Sequence, residues 1–180
     1  FYDPDTIHQA AKMLAEADLV NIHCGNGAER AAAADEVQKL AEYLGCPVTN
    51  TIRARGIISD THPLCFHPTC LSRIMANSQA DVVLAVGTRL GELNMWGNPP
   101  MWGEPDKQKV IQIDTEPTNI GLNRQVAIPL VGDAKVILSQ LLDAITQLTA
   151  KRDYHPKIIE YRAVQNDWQK ELDESVADMS

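Results

Sequence analysis

Positive charge in excess is the first thing this sequence lacks. Sixteen Lys and Arg stand against 24 Asp and Glu, a net charge of -8. A nucleic-acid binder carries a basic footprint, so that class is set aside. No apolar run approaches the length of a transmembrane helix, and the opening residues show no signal-peptide pattern. No Gly-x-x-x-x-Gly-Lys-Ser/Thr phosphate loop occurs, which removes the P-loop nucleotidases. No Gly-x-Ser-x-Gly elbow occurs either, which removes serine hydrolases of that fold. His23, His62 and His67 have no nucleophile beside them in sequence, and no general acid or base stands out.

The four cysteines do not ask for disulfides. Cys24, Cys46, Cys65 and Cys70 sit in a chain of 180 residues that is 44% apolar and 22% charged. Such a chain can bury a core without covalent staples, so free thiols in a cytoplasmic protein are the expected state. Cys65-x-His67-x-x-Cys70 offers three ligands in one loop but no second pair at metal-finger spacing, and no metal is assigned. The chain opens on Phe1 rather than Met, and the expectation is a segment of something longer.

What is present is an alternation of strands and helices. Asp5 is the expected cap of a helix whose apolar face is Ile7, Ala10, Ala11 and Leu14. Leu19 to Cys24 reads as a strand that runs through Gly25-Asn-Gly27 into one alanine-rich helix, Ala28 to Leu44. Cys46 to Thr49 is a second strand, followed by a long loop from Asn50 to about Pro68. A helix near Thr69 to Ser78 leads to a third strand, Asp81 to Val86. The segment Gly91 to Gln108, rich in Gly and Pro, reads as an irregular surface loop. Lys109 to Ile113 and Val126 to Val131 are further strands, with a short helix from Thr118 to Leu122 between them. Asp133 caps the helix that runs to about Leu148. Strands alternating with helices at this spacing call for an α/β fold: a doubly wound parallel sheet in three α/β/α layers. From Lys151 onward charges dominate, and Ile158, Tyr161, Val164 and Trp168 recur at helical spacing. That tail is expected to be a connector resting its apolar stripe on a neighbouring domain, which divides the chain into residues 1–150 and 151–180.

In such sheets ligands bind beyond the carboxyl ends of the strands. Gly87-Thr-Arg-Leu and Ile113-Asp-Thr-Glu-Pro-Thr-Asn-Ile-Gly121 occupy that position after two buried runs, which says nucleotide-type pocket. Gly25-Asn26-Gly27 either aims helix-end amides at an anion or is a tight turn, and it lacks a full fingerprint's third glycine near Arg30 and Ala31. Arg89 suits a phosphate or a surface ion pair, and Asp114 a ribose or the cap of the following helix. Arg53 and Arg55 reach phosphates across the crevice or form a solvated charge pair. Asp133 fits a helix cap better than a ligand contact.

Several stretches resemble the central domain of thiamine-diphosphate-dependent enzymes of the acetolactate synthase, pyruvate oxidase and oxalyl-CoA decarboxylase group. They are Ala17 to Gly27, Leu40 to Thr51, Gly56 to Pro63, Ala80 to Leu90, Val110 to Gly121 and Val131-Gly-Asp-Ala134. The resemblance covers residues 5 to 148. It implies a Rossmann-like sheet of about six strands, binding FAD in some relatives, ADP or a CoA nucleotide in others and nothing in many. The positions matching the flavin or ADP site are Gly25, Gly27, Thr51, Ile52, His67, Gly87, Arg89, Asp114, Thr115 and Asp133, with Asn26 and Thr88 in the same turns. Phosphates are expected over Gly25 to Gly27, with Arg89 pairing an anion and Asp114 near a ribose.

Two departures count against flavin more than against ADP. Leu64 to Cys70 contains no glycine where flavin-binding members have several, and Gly91 stands where they carry an acid. By the same resemblance, thiamine diphosphate and magnesium belong to the pyrimidine- and diphosphate-binding domains of a parent homodimer or homotetramer. That parent would be a lyase or transferase acting on a 2-keto acid or acyl-CoA, and this piece is expected to be inactive alone. The alternative is a free-standing Rossmann-type nucleotide-binding domain of an oxidoreductase or an electron-transfer flavoprotein.

Overall fold

Helix α1 (Pro4–Glu16) is capped two residues earlier than the expected Asp5. Asp3 is the cap, its side chain accepting the Asp5 amide at 3.1 Å, and Pro4 fills the first helical position, where no amide is required. Residues 3–177 are described in this computed structural model.

Strand β1 (Val20–Cys24) is buried along its whole length. The alanine-rich helix after it is two helices, α2 (Asn26–Arg30) and α3 (Ala34–Leu44). The break is at Ala32, whose φ of 51° lies in the left-handed region, and the Ala33 amide then closes onto Ala28 O at 3.1 Å. Alanine propensity favours one continuous rod, but packing overrides it. α2 is held against the turn after a distant strand, while α3 turns to bury Val37, Leu40, Ala41 and Leu44.

Strand β2 (Val48–Asn50) pairs with a two-residue edge strand, β3 (Cys65–Phe66), inside the segment expected to be loop. Two residues are too short for any periodicity to reveal. Helix α4 (Leu71–Gln79), β4 (Val82–Val86), β5 (Lys109–Asp114), β6 (Ile128–Val131) and α5 (Ala134–Leu148) follow, and α6 (Lys157–Ala177) ends the described chain. Between β5 and β6 the expected helix is only the single 3-10 turn Pro117–Asn119.

All strand pairs are parallel, in the order β3-β2-β1-β4-β5-β6. The chain winds outward from β1 in one direction and from β4 in the other, so a crevice opens between their carboxyl ends. The two-residue period of a strand divides the core. On β4, Val82, Leu84 and Val86 join the large core under α1, α3 and α5, while Val83 and Ala85 join a smaller one with Leu90, Trp102 and Val110.

That smaller core corrects the expectation that Gly91 to Gln108 is a surface loop. Trp102 is 2% exposed, its indole N–H donates to Asn94 O at 2.8 Å, and its ring meets His23 edge-on at 4.9 Å. The tail is corrected as well, because its stripe rests on this sheet. Tyr161 meets Phe66 of β3 edge to face at 5.6 Å and donates to Gln79 Oε1 at 3.1 Å. Gln165 closes the edge strand: its Oε1 accepts from His67 N and Ser72 Oγ, and its Nε2 donates to Cys65 O.

Candidate functional site

At the carboxyl edge of the sheet lies a cleft of about 790 Å³. The turn after β1 contributes Asn26, Gly27 and Arg30, and the turn after β2 contributes Thr51, Ile52 and Arg53. Gly87, Thr88 and Arg89 come from the end of β4, and Asp114, Thr115 and Glu116 from the end of β5. Residues spread over 90 positions of sequence therefore meet at one crevice, as the strand order requires.

Three expected site residues lie elsewhere. Gly25 is buried beneath the cleft. His67 lines a separate hollow of about 370 Å³ with Arg55, Asp60 and Trp168, its ring 4.8 Å from the indole and its Nδ1 3.0 Å from Thr69 Oγ1. Burial first, and then the charge of Arg55, lower its pKa. Asp133 is the N-cap of α5, accepting Val136 N at 3.1 Å.

The glycines have a structural reason. A Cβ on Gly25 would stand 2.5 Å from Gly87 O, one on Gly27 2.7 Å from Gly87 Cα, and one on Gly87 2.4 Å from Ala28 N. The turns after β1 and β4 touch backbone to backbone, and only glycine fits. Their amides are spent on that contact: Gly25 N donates to Val86 O at 2.8 Å and Gly27 N to Gly87 O at 3.0 Å. Ala28 N closes onto Gly25 O. α2 is five residues long, and these donors at its start are already used.

The cations at the cleft are side chains. Arg30, Arg53 and Arg89 line the cleft, are exposed, and have no ion pair among the described residues. Arg55 instead makes the solvated pair, with Asp60 at 2.9 Å. Asp114 takes the capping role, its Oδ1 accepting Glu116 N at 2.9 Å and Asn119 Nδ2 at 3.2 Å. Its Oδ2 has no partner among the described residues. Glu116 caps the next turn through Thr118, and those hydrogen bonds hold its pKa below the usual carboxylate value.

Sequence reading missed Arg73 and Asn94. Arg73 is on the first turn of α4, 7% exposed, donating to Pro68 O at 2.8 Å and to Asn94 Oδ1 at 2.7 Å. A signal was available, because Arg73 shares the buried helical face with Ala76 and Asn77, where a cation is out of place. Behind it sits His23, fully buried, its Nδ1 2.9 Å from Thr49 Oγ1. Burial, followed by the Arg73 charge, takes its pKa down to about 3, so it stays neutral.

The family match decides what this arrangement belongs to. Residues 7–141 match the thiamine pyrophosphate enzyme central domain. The chain belongs to that family. The acetolactate synthase large subunit of Corynebacterium glutamicum is 32% identical over 160 residues, which are 86% of this chain and 25% of that protein. The sulfoacetaldehyde acetyltransferase of Roseovarius nubinhibens is 33% identical over 175 residues, 93% of this chain and 28% of that protein. A crystal structure from Mycobacterium smegmatis, assigned as a thiamin diphosphate-dependent enzyme, superposes with a TM-score of 0.65 at 26% identity. It covers 86% of this chain and 29% of its own. The chain thus spans about a quarter of the length of the curated relatives it matches.

Among the described residues no group of three His, Cys, Asp or Glu could hold a metal ion, so Cys65, His67 and Cys70 do not assemble one. All four thiols are free and buried, and burial raises the pKa of Cys46 to about 12 and that of Cys65 to about 11. No described helix is long and apolar enough to cross a membrane.

Proposed function

We propose that this central domain is the nucleotide-binding module of a thiamine-diphosphate-dependent enzyme acting on a 2-keto acid or an acyl-CoA. Thiamine diphosphate and magnesium belong on the pyrimidine- and diphosphate-binding domains of a longer chain, assembled as a homodimer or homotetramer. This domain holds ADP, or the ADP half of FAD. The observation that carries the reading is the convergence of Arg30, Arg53 and Arg89, unpaired, on one cleft at the strand-order switch. Three unpaired guanidinium groups around one hollow suit a diphosphate, which accepts bidentate hydrogen bonds. Asp114 Oδ2 and Thr115 stand on the β5 side, where a ribose would lie.

ADP is favoured over flavin. The glycine-free stretch forms β3, and Leu64, Cys65 and Phe66 fill it with buried side chains. Calorimetry with ADP and FAD tests the assignment, with mass spectrometry of any ligand released on denaturation. ADP should bind, and FAD should bind no more tightly than ADP. Failure of both to bind would end the nucleotide reading, and a large preference for FAD would reverse the choice of ligand.

A further inference from the structure

The arginines around the cleft are not equivalent. Arg30, Arg53 and Arg89 are in water, whereas Arg73 lines the same cleft while 7% exposed. Its two hydrogen-bonded acceptors, Pro68 O and Asn94 Oδ1, are neutral, and its Nε has no partner at all. No carboxylate lies within ion-pair distance of it among the described residues. Arg124 is also buried, but it spends its donors on Gly97 O, Gly103 O and Gln108 Oε1, away from the cleft. A buried charge without a counter-ion is unfavourable unless something supplies one.

Position says where that counter-ion comes from. Asp114 stands at the β5 side of the cleft, Gly27 and Arg89 at the β1–β4 switch in its middle, and Arg73 on α4, which packs over β1 and β2. Ribose, diphosphate and a further group would therefore run across the sheet edge in that order. We propose that Arg73 is a second anion subsite, taking an oxyanion carried beyond the diphosphate of the bound nucleotide, as in a nucleoside triphosphate. The placement rests on the nucleotide reading above. The uncompensated cation does not.

Calorimetry with ADP and ATP, on wild type, Arg73→Met and Asn94→Asp, tests it. Wild type should bind ATP about tenfold more tightly than ADP, the scale of one charge-assisted hydrogen bond. Arg73→Met should bring the ratio near one while ADP affinity is kept. Asn94→Asp puts a carboxylate on Arg73 from within and should erase the ATP preference too, which covers the case where Arg73→Met fails to fold. An ATP:ADP ratio of one in wild type, or a ratio unchanged by both variants, overturns the subsite and leaves ADP binding intact. If neither nucleotide binds, inorganic phosphate decides. A rise in wild-type Tm over chloride at equal ionic strength, absent in Arg73→Met, keeps the subsite without the nucleotide, and equal shifts overturn it.

Discussion

The amide of Gly27 donates to the carbonyl of Gly87 at 3.0 Å, so the turn after β1 and the turn after β4 are one unit. A side chain at Gly87 meets Ala28 N at 2.4 Å and must hold φ at +60°. Gly56 is a control, with φ +92° and open space around it. Gly56→Ala should cost about 1–2 kcal/mol, the conformational term alone. Gly87→Ala should cost clearly more in urea unfolding, and equal losses would mean that the two turns are not locked together.

Arg89 lies free at the mouth of the cleft, with only its backbone carbonyl engaged, by Asn123 Nδ2 at 2.7 Å. Arg89→Ala should weaken ADP by about 1.5–3 kcal/mol, the scale of a lost charge-assisted contact. Fold stability should hardly move, because the side chain makes no ion pair. Titration calorimetry beside a thermal melt separates the two effects. Unchanged affinity would place the phosphates elsewhere.

His23 makes stability depend on pH with a definite sign. Its folded pKa of about 3 lies below the ordinary 6.5, so the unfolded chain takes up the proton first as pH falls. The contribution is complete above the unfolded value and is lost on the way down toward about 3. Between about pH 7 and about pH 5 this one group should remove about 2 kcal/mol. His23→Gln should flatten the pH dependence of urea midpoints by that amount, and an unaltered slope would show that His23 protonates without unfolding.

Gln165 closes the outer strand from a helix 100 residues further on. Gln165→Leu leaves the buried Cys65 O and Ser72 Oγ, together with His67 N, without this partner, at about 1–3 kcal/mol for each unsatisfied group. Hydrogen exchange at β3 should accelerate in this variant while β4 stays protected. Uniform acceleration would mean that α6 supports the whole sheet rather than its edge.

Given thiamine diphosphate, magnesium and pyruvate, this chain should show no turnover above a protein-free control. No described cluster can hold the metal, and the thiols are buried. Sustained decarboxylation would contradict the assignment of the chemistry to other domains.

Most of the sheet was legible before folding was considered. Continuous apolar runs such as Val82–Val86 announce strands covered on both faces, and alternation with helices makes them parallel. Asp133 announced its helix by local capping chemistry, and Gly25, Gly27 and Gly87 marked tight approaches. These signals are local, carried by a residue and its near neighbours, so sequence alone determined five of the six strands and the end of the sheet where the cleft lies.

The tertiary structure decided what fills that end. Whether the Gly27 amide faces a phosphate or Gly87 O depends on how closely two turns 60 positions apart are pressed together. Arg73 became part of the cleft because α4 crosses over β1 and β2, and His67 left it because α6 brought Trp168 against its ring. No period of 2 or 3.6 encodes such meetings. They follow from the order in which strands join the sheet and from which buried groups then find partners.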